Sequence, residues 1–473
     1  MLPVAFYGAQ TWWPGATKHF ESRLISNSQQ GILKAFQKAL ISSARAILPV
    51  YRTTPLPILH REAGIPLPEH LLDSLALKDS ARICRLDPRH PLKARAKACR
   101  TARRVTRLTP RHARRWLALP PTEQLNSIQL PPWHTPESRI AAKLRIGACT
   151  REKPLLTRQE AAVLFQTFLD SIPHNDIIIY SDGSKLATGI AGGGYIAFQH
   201  GNKITEASIA YGDRVEVFDA EARAAVAGII DTMSCRAAYH ATNIWICLDN
   251  QEVALRLFTP FLGSSADTFQ EACALQADWA ARPRKGTIRV RWVPGHSQVP
   301  GNELADALAR RGALQPPPPA SSPHSWASLK RYIAAQLPQK HLKWWLANAP
   351  ISYQTIPIST ALLPPKELSL PRKALGHLIA ARSGHGDFSA YHERFNHAVF
   401  EPNCLCGRLK TPVHFFFCRI ARHRSTNPLS SRYPFHNLSE LLGTPEGAYK
   451  LTQWWKETSF FEELSPLRLP SLD

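Results

Sequence analysis

Trp292-Val293-Pro294-Gly295-His296-Ser297, resumed at Gly301-Asn302-Glu303-Leu304-Ala305-Asp306-Ala307-Leu308-Ala309, is the stretch on which the fold turns. A strand from Thr287 to Val293 leaves a sheet through a rigid Pro-Gly loop carrying a histidine. A helix over Asn302 to Arg311 then presents an aspartate. Outward from there, Asn243-Ile244-Trp245-Ile246-Cys247-Leu248 is another apolar strand, and it ends in Asp249. Helices are expected from Asn250 to Phe258 and from Asp267 to Ala281. Further back, Ile177-Ile178-Ile179-Tyr180 runs into Ser181-Asp182-Gly183-Ser184. Gly192-Gly193-Gly194 precedes Tyr195-Ile196-Ala197-Phe198, and Lys203 to Ala210 alternates. Three strands at turn spacing predict an antiparallel meander. Glu216 to Thr232, rich in alanine, is helical and carries Glu221. The order β-β-β-α-β-α-α-β-α predicts an α/β fold with a mixed five-stranded sheet and flanking helices.

Taken singly, each acidic position has a structural explanation. Asp182-Gly183 reads as a turn, Glu221 as a surface helix glutamate, and Asp249 is equally well placed as an N-cap. Taken together, the four segments resemble ribonuclease H of type 1 in order, context and spacing. The Pro294-Gly295-His296 loop with the Asn302-Glu303-x-x-Asp306 helix is the most specific part. It favours ribonuclease H over a transposase or integrase of the same superfamily. The resemblance covers residues 176–313 and implies a nuclease that cuts the RNA strand of RNA/DNA hybrids and leaves 5′-phosphomonoesters. It implies catalytic roles for Asp182, Glu221, Asp249, His296 and Asp306, with two Mg2+ ions, or Mn2+ in their place. Two divalent ions roughly 4 Å apart can activate water and stabilise the leaving oxygen in one in-line displacement. By the same resemblance Asp182 bridges the ions. Asp249 and Glu221 hold one with a phosphate or the attacking water, Asp306 holds the other, and His296 assists proton transfer or product release. Carboxylates packed this closely repel, so without metal at least one should titrate high. Gln298 and Pro300 depart from the family, which places small residues after the histidine.

The chain has 473 residues and a formal charge of +22. Roughly 150 residues per domain suggests about three domains. The charge is uneven, at +16 before residue 176, −2 over 176–313 and +8 from 314 onward. The arms, not the nuclease segment, carry the electrostatic footprint of a nucleic-acid partner. Basic residues crowd from Arg82 to Arg115, including Arg85, Arg89, Lys93, Arg95, Arg103, Arg104, Arg107, Arg111 and Arg114. Together they read as phosphate contacts, and the expectation is that the arms grip the hybrid. Residues 1–175 form a basic, mostly helical connecting region. Residues 314–324, with Pro316-Pro317-Pro318-Pro319, form a linker, and 325–473 a helical C-terminal region.

Of nine cysteines, Cys84, Cys99, Cys149, Cys235, Cys247 and Cys273 show no ligand spacing. The odd count and wide gaps fit a reducing compartment. Cys404-Leu405-Cys406-Gly407 with His414-Phe415-Phe416-Phe417-Cys418 gives C-x-C-x7-H-x3-C, a set suited to tetrahedral structural Zn2+. His414 and Cys418, at i and i+4, are expected on one helix face. No run of about 18 uncharged apolar residues occurs, and Met1 to Trp13 lacks a basic leader and a cleavage site. The expected location is intracellular, nucleus or cytoplasm, without membrane attachment or secretion.

The layout resembles the C-terminal part of a fungal-type non-LTR (LINE-like) retrotransposon polyprotein, in which a Cys-His knuckle follows ribonuclease H. Tyr7-Gly8-Ala9-Gln10-Thr11-Trp12-Trp13, Tyr51-Arg52-Thr53-Thr54-Pro55 and His90-Pro91-Leu92 resemble the segment that joins it to the polymerase. The polymerase signature Tyr-x-Asp-Asp does not occur in these residues. A separate reverse transcriptase is therefore an expected partner, and an inert nucleic-acid-binding remnant is the competing reading.

Overall fold

Apolar residues in β1 (Ile177–Lys185) alternate between two covered faces, and this sets the layers of the nuclease region. Ile177 and Ile179 point to one side, Tyr180 to the other. The computed structural model describes residues 7–8, 13, 27–94, 119–125, 158–259, 261–316, 322–360, 363–425 and 436–466. β1 lies at the centre of a five-stranded sheet with β2 (Ala191–Gln199), β3 (Asn202–Gly212), β4 (Ile244–Leu248) and β5 (Ile288–Trp292) in the order β3-β2-β1-β4-β5. β1, β2 and β3 pair antiparallel, whereas β4 and β5 run parallel to β1. This is the mixed α/β sheet expected from the element order.

One face is covered by α2 (Val217–Ser234) and α4 (Ala266–Ala280), the other by α1 (Arg158–Asp170) and α5 (Pro300–Leu314); α3 (Gln251–Arg256) follows β4. The first face buries Ile177, Ile179, Tyr195, Ala222, Val226, Ile229, Ile246 and Phe269. The second buries Phe165, Tyr180, Ile196, Val293, Ala305 and Leu308. Gly192-Gly193-Gly194 lies inside β2, because α5 crosses the sheet there. A Cβ on Gly194 would stand 2.3 Å from the Ala309 nitrogen, and one on Gly192 2.0 Å from that of Ala313. Only glycine lets the helix backbone come this close.

By contact the chain divides into two compact units, residues 77–333 and residues 1–76 with 334–473. In the first, Ala81, Cys84, Leu119, Leu329 and Ile333 form a small core beside the sheet domain. A buried polar network accompanies it. Asp219, fully buried, accepts from Ser265 Oγ at 3.0 Å and Ser325 Oγ at 2.6 Å. Glu123 accepts from the Ser265 backbone and pairs with Arg85 at 3.2 Å. Burial pushes the Glu123 carboxyl up to about 7 despite that arginine.

This corrects part of the basic-cluster reading. Arg85 also donates to the Leu262 and Gly263 carbonyls, and Lys93 Nζ donates to the Leu86 carbonyl at 2.6 Å. Both side chains are buried, so they support the fold and are not available to phosphate. Arg95 to Arg115, most of Tyr7 to Trp13 and the centre of the 314–324 linker lie outside the described residues.

The second unit is helical. Its core includes Leu48, Ile58, Leu59, Tyr353, Leu378, Phe415, Leu451, Trp454, Trp455 and Phe460. A buried ion network crosses it. Arg382 bonds Glu62 at 3.1 Å and Glu367 at 2.8 Å, Arg61 pairs with Glu62 at 2.9 Å, and Tyr353 donates to Glu62. The paired arginines hold the Glu62 carboxyl below the usual range against its desolvation. No helix among the described residues is long and apolar enough to cross a membrane.

Candidate active site

Strand direction brings the first carboxylates together. The parallel register sets Tyr180 level with Cys247. Continued two residues, it puts Asp182 level with Asp249, just past the end of β4. Glu221 arrives from α2, whose Ala220, Ala222, Ala224 and Ala225 are fully buried and let the helix lie close against the sheet. Gly183 makes that approach feasible, since a Cβ there would stand 2.5 Å from the Glu221 nitrogen. One oxygen each from Asp182, Glu221 and Asp249 lie within 4.8 Å of one another. Asp306, on α5, stands outside that group, near enough for its charge to act on Asp182. It also takes a fork from Arg310, with contacts of 3.0 and 2.9 Å.

The cluster is short of positive charge. Burial first, then the Asp249 charge, pushes Asp182 up to about 7. Burial and the Asp182 and Asp249 charges push Glu221 well above the carboxylate range. Burial raises Asp249 too, although His296 and an Asn302 hydrogen bond pull it down. Glu221 Oε2 is buried with no hydrogen-bond partner. A lone pair left bare among like charges is costly in a folded protein unless a cation takes it. The donor set is all oxygen, which suits a hard divalent ion such as Mg2+. The residues present therefore fit the ions.

His296 is exposed on the loop between β5 and α5, on the side of Asp249. Its φ is 52°, and Gln298 follows at 60°, so two non-glycine residues of this loop are left-handed. Ser297 Oγ donates to the Pro294 carbonyl between them. Gly295 permits the loop to pass Asp249, because a Cβ there would lie 2.6 Å from Asp249 Oδ2.

Two asparagines lie beside the carboxylates and favour their charged forms, and sequence reasoning assigned a role to neither. Asn302, almost fully buried at the start of α5, donates to Asp249. Asn250 caps α3 through its Oδ1, at 3.1 and 3.2 Å from the Glu252 and Val253 nitrogens, and also bonds Glu221. The only available signal was their position next to an acidic residue or in a helix's first turn, which also describes an ordinary cap. The cap of α3 is Asn250, not Asp249.

Far along the chain, Cys404, Cys406, His414 and Cys418 are all buried, with ligand atoms within 4.8 Å of one another. Cys404 Sγ lies 3.9 Å from Cys418 Sγ, and Cys406 Sγ 3.2 Å from His414 Nε2. Gly407, with φ 81°, closes the Cys-x-Cys turn, and Cys404 N donates to the Arg408 carbonyl at 2.9 Å. The expectation of one shared helix face is corrected. The helix from His414 ends at Phe417, and Cys418 is extended, at ψ 116°. A single turn followed by an extended residue gathers the ligands instead.

A family model described as RNase H matches residues 174–314. Solved structures similar to the chain include the N-terminal RNase H domain of a Mycobacterium tuberculosis protein, determined as a fusion with maltose-binding protein. It is 24% identical, with 29% of this chain and 93% of that one covered and a TM-score of 0.24. Another is LC11-RNase H1, from compost by a metagenomic approach, solved in complex with RNA/DNA hybrid. It shows 17% identity, coverage of 28% and 97%, and a TM-score of 0.24. A third is the prototype foamy virus protease-reverse transcriptase, with 18% identity, coverage of 31% and 22%, and a TM-score of 0.23. No curated protein matches the chain.

Proposed function

Because residues 174–314 are an RNase H domain, we propose that this protein is a metal-dependent endonuclease that hydrolyses the RNA strand of RNA/DNA hybrids. The observation that carries the proposal is the convergence of three carboxylates with a bare, buried Glu221 Oε2. Bound divalent ions would supply the polarisation of water and of the scissile phosphate. Asp182, Glu221 and Asp249 would hold them, with Asp306 completing the set. Asn302 and Asn250 fix two of these carboxylates and leave their remaining lone pairs for the ions. His296, exposed beside Asp249, is free to accept or return a proton at the leaving oxygen. RNA would be distinguished by its 2′-hydroxyl.

We place this activity in a protein derived from a fungal-type non-LTR retrotransposon, acting inside the cell with a separate reverse transcriptase. The order of RNase H domain and Cys-His cluster supports this, as do the basic arms. The cysteine cluster fits structural Zn2+: Zn–S bonds of about 2.3 Å imply sulfur–sulfur spacings near 3.8 Å in a tetrahedron, against 3.9 Å here.

The test is cleavage of labelled RNA/DNA hybrid in Mg2+, with Asp182→Asn as control. The expected outcome is RNA-strand cleavage by wild type alone. Binding without cleavage would leave the inert remnant, and cleavage of duplex DNA would move the protein to the transposase-like branch of the superfamily.

A further inference from the structure

A second histidine cluster lies next to the Cys-His turn in the helical unit, outside every site described above. The helix Ser389–Arg394 carries His392. It stops at Phe395, and Asn396 turns left-handed at φ 49°. Asn396 N then donates to the Glu393 carbonyl at 3.2 Å and His397 N to the His392 carbonyl at 3.1 Å. This helix-ending turn folds the chain back and sets His397 over His392. Their Nδ1 atoms lie 2.8 Å apart.

The other nitrogen of His392 is engaged. Nε2 lies 2.5 Å from Asp387 Oδ1. Asp387 is itself buried, with Lys410 Nζ at 3.9 Å from its second oxygen. Phe400 stacks on the His392 ring, at 4.6 Å and 16°, and Phe395 on that of His397, at 6.2 Å and 26°. His392 is thus fixed by a carboxylate behind it and an aromatic face beside it, with Nδ1 directed at a second imidazole. A carboxylate on the rear nitrogen is how metal-ligating histidines are ordinarily oriented. At 2.8 Å one proton must sit between the two Nδ1 atoms, whichever ring carries it. A cation bound to both at about 2.0–2.1 Å would take the place of that proton, which leaves to solvent or moves to His397 Nε2, and the exposed His397 can swing to turn its Nδ1 toward the ion.

We propose that His392 and His397, backed by Asp387, form an exchangeable binding site for a borderline divalent transition-metal ion such as Zn2+ or Ni2+. Imidazole pairs select such ions over Mg2+. The two protein ligands leave coordination positions open to water or a further ligand, unlike the closed Cys-His set.

The test uses the full chain with one equivalent of zinc bound, in saturating Mg2+ so that the carboxylate cluster is occupied. Ni2+ is titrated by calorimetry. One further equivalent is expected. His397→Ala and His392→Ala should each abolish it. Because His397 is exposed, that variant should keep its fold, as checked by circular dichroism and retained zinc. Asp387→Asn should weaken binding 10- to 100-fold at unchanged stoichiometry. His200→Ala, at an exposed histidine elsewhere, should change nothing. No further equivalent in wild type, or one that survives both His392→Ala and His397→Ala, would overturn the site. Unchanged affinity in Asp387→Asn would remove Asp387 from it.

Discussion

Without a cation, Asp182 keeps its proton until about pH 7, whereas an unfolded aspartate loses it near 3.9. The folded state therefore binds more protons across that window, and metal-free stability falls as pH rises from about 4 to 7. Chelated wild type should unfold at lower urea at pH 8 than at pH 5. Asp182→Asn should reduce that slope, with Glu221, Asp249 and Glu123 supplying the remainder, and stabilise the chelated protein at pH 8 by on the order of 2–4 kcal/mol. The same variant should lose at least about 100-fold in hybrid cleavage, because even outer partners of metal ligands are typically worth 10–100-fold. Asn302→Ala leaves Asp249 without its amide donor. We expect it to lower cleavage by about 10–100-fold and raise the Mg2+ concentration needed for half-maximal rate, with folding intact by circular dichroism.

At the scale of elements, the closeness of α5 to β2 decides whether Asp306 reaches Asp182. Gly194→Ala would press a methyl onto the Ala309 backbone. We expect a loss of roughly 1–3 kcal/mol in urea unfolding and a disproportionate loss of cleavage, since the helix cannot move without taking Asp306 with it. The strands and helices of this domain were legible because alternation and helical spacing are local, and Asp249 stood at a strand end for the same reason; Asp182, read at a strand end before a glycine turn, instead lies inside β1, which runs on through Gly183 to Lys185. What escaped was nonlocal. Gly192-Gly193-Gly194 reads as a break ahead of a strand unless one knows that α5 crosses it. Asn302 reads as a first-turn residue unless Asp249 is known to lie beside it. Arg85 and Lys93 look like surface charges until Glu123 and the Leu86 carbonyl are seen to engage them. The His414–Cys418 spacing was a true periodicity, but spacing does not say where a helix ends.

At the scale of the molecule, the family match at 174–314 is narrower than the unit that contains it. Excising 174–314 would strip Ser325 and Glu123 from the network on Asp219 and Ser265. A fragment of 77–333 should therefore melt cooperatively and cleave hybrid, whereas 174–314 alone should melt at clearly lower temperature; equal melting temperatures would contradict this. In the helical unit, Arg382→Ala would leave Glu62 and Glu367 buried with only Arg61 to share, at a cost of about 3–5 kcal/mol, read as loss of that unit's unfolding transition. That unit is also discontinuous, its first 76 residues being separated from the remainder by the other unit. Leu77 and Ile333, the entry and exit of the intervening piece, belong to one small core. On a ribosome, residues 1–76 emerge before residues 77–333 yet lack their partners until after residue 334. At roughly 5–20 residues per second, they wait for tens of seconds with Leu48, Ile58 and Leu59 uncovered, while the nuclease unit can already close. A segment made before the nuclease unit is completed after it, and its need for a holding chaperone is greatest in that interval.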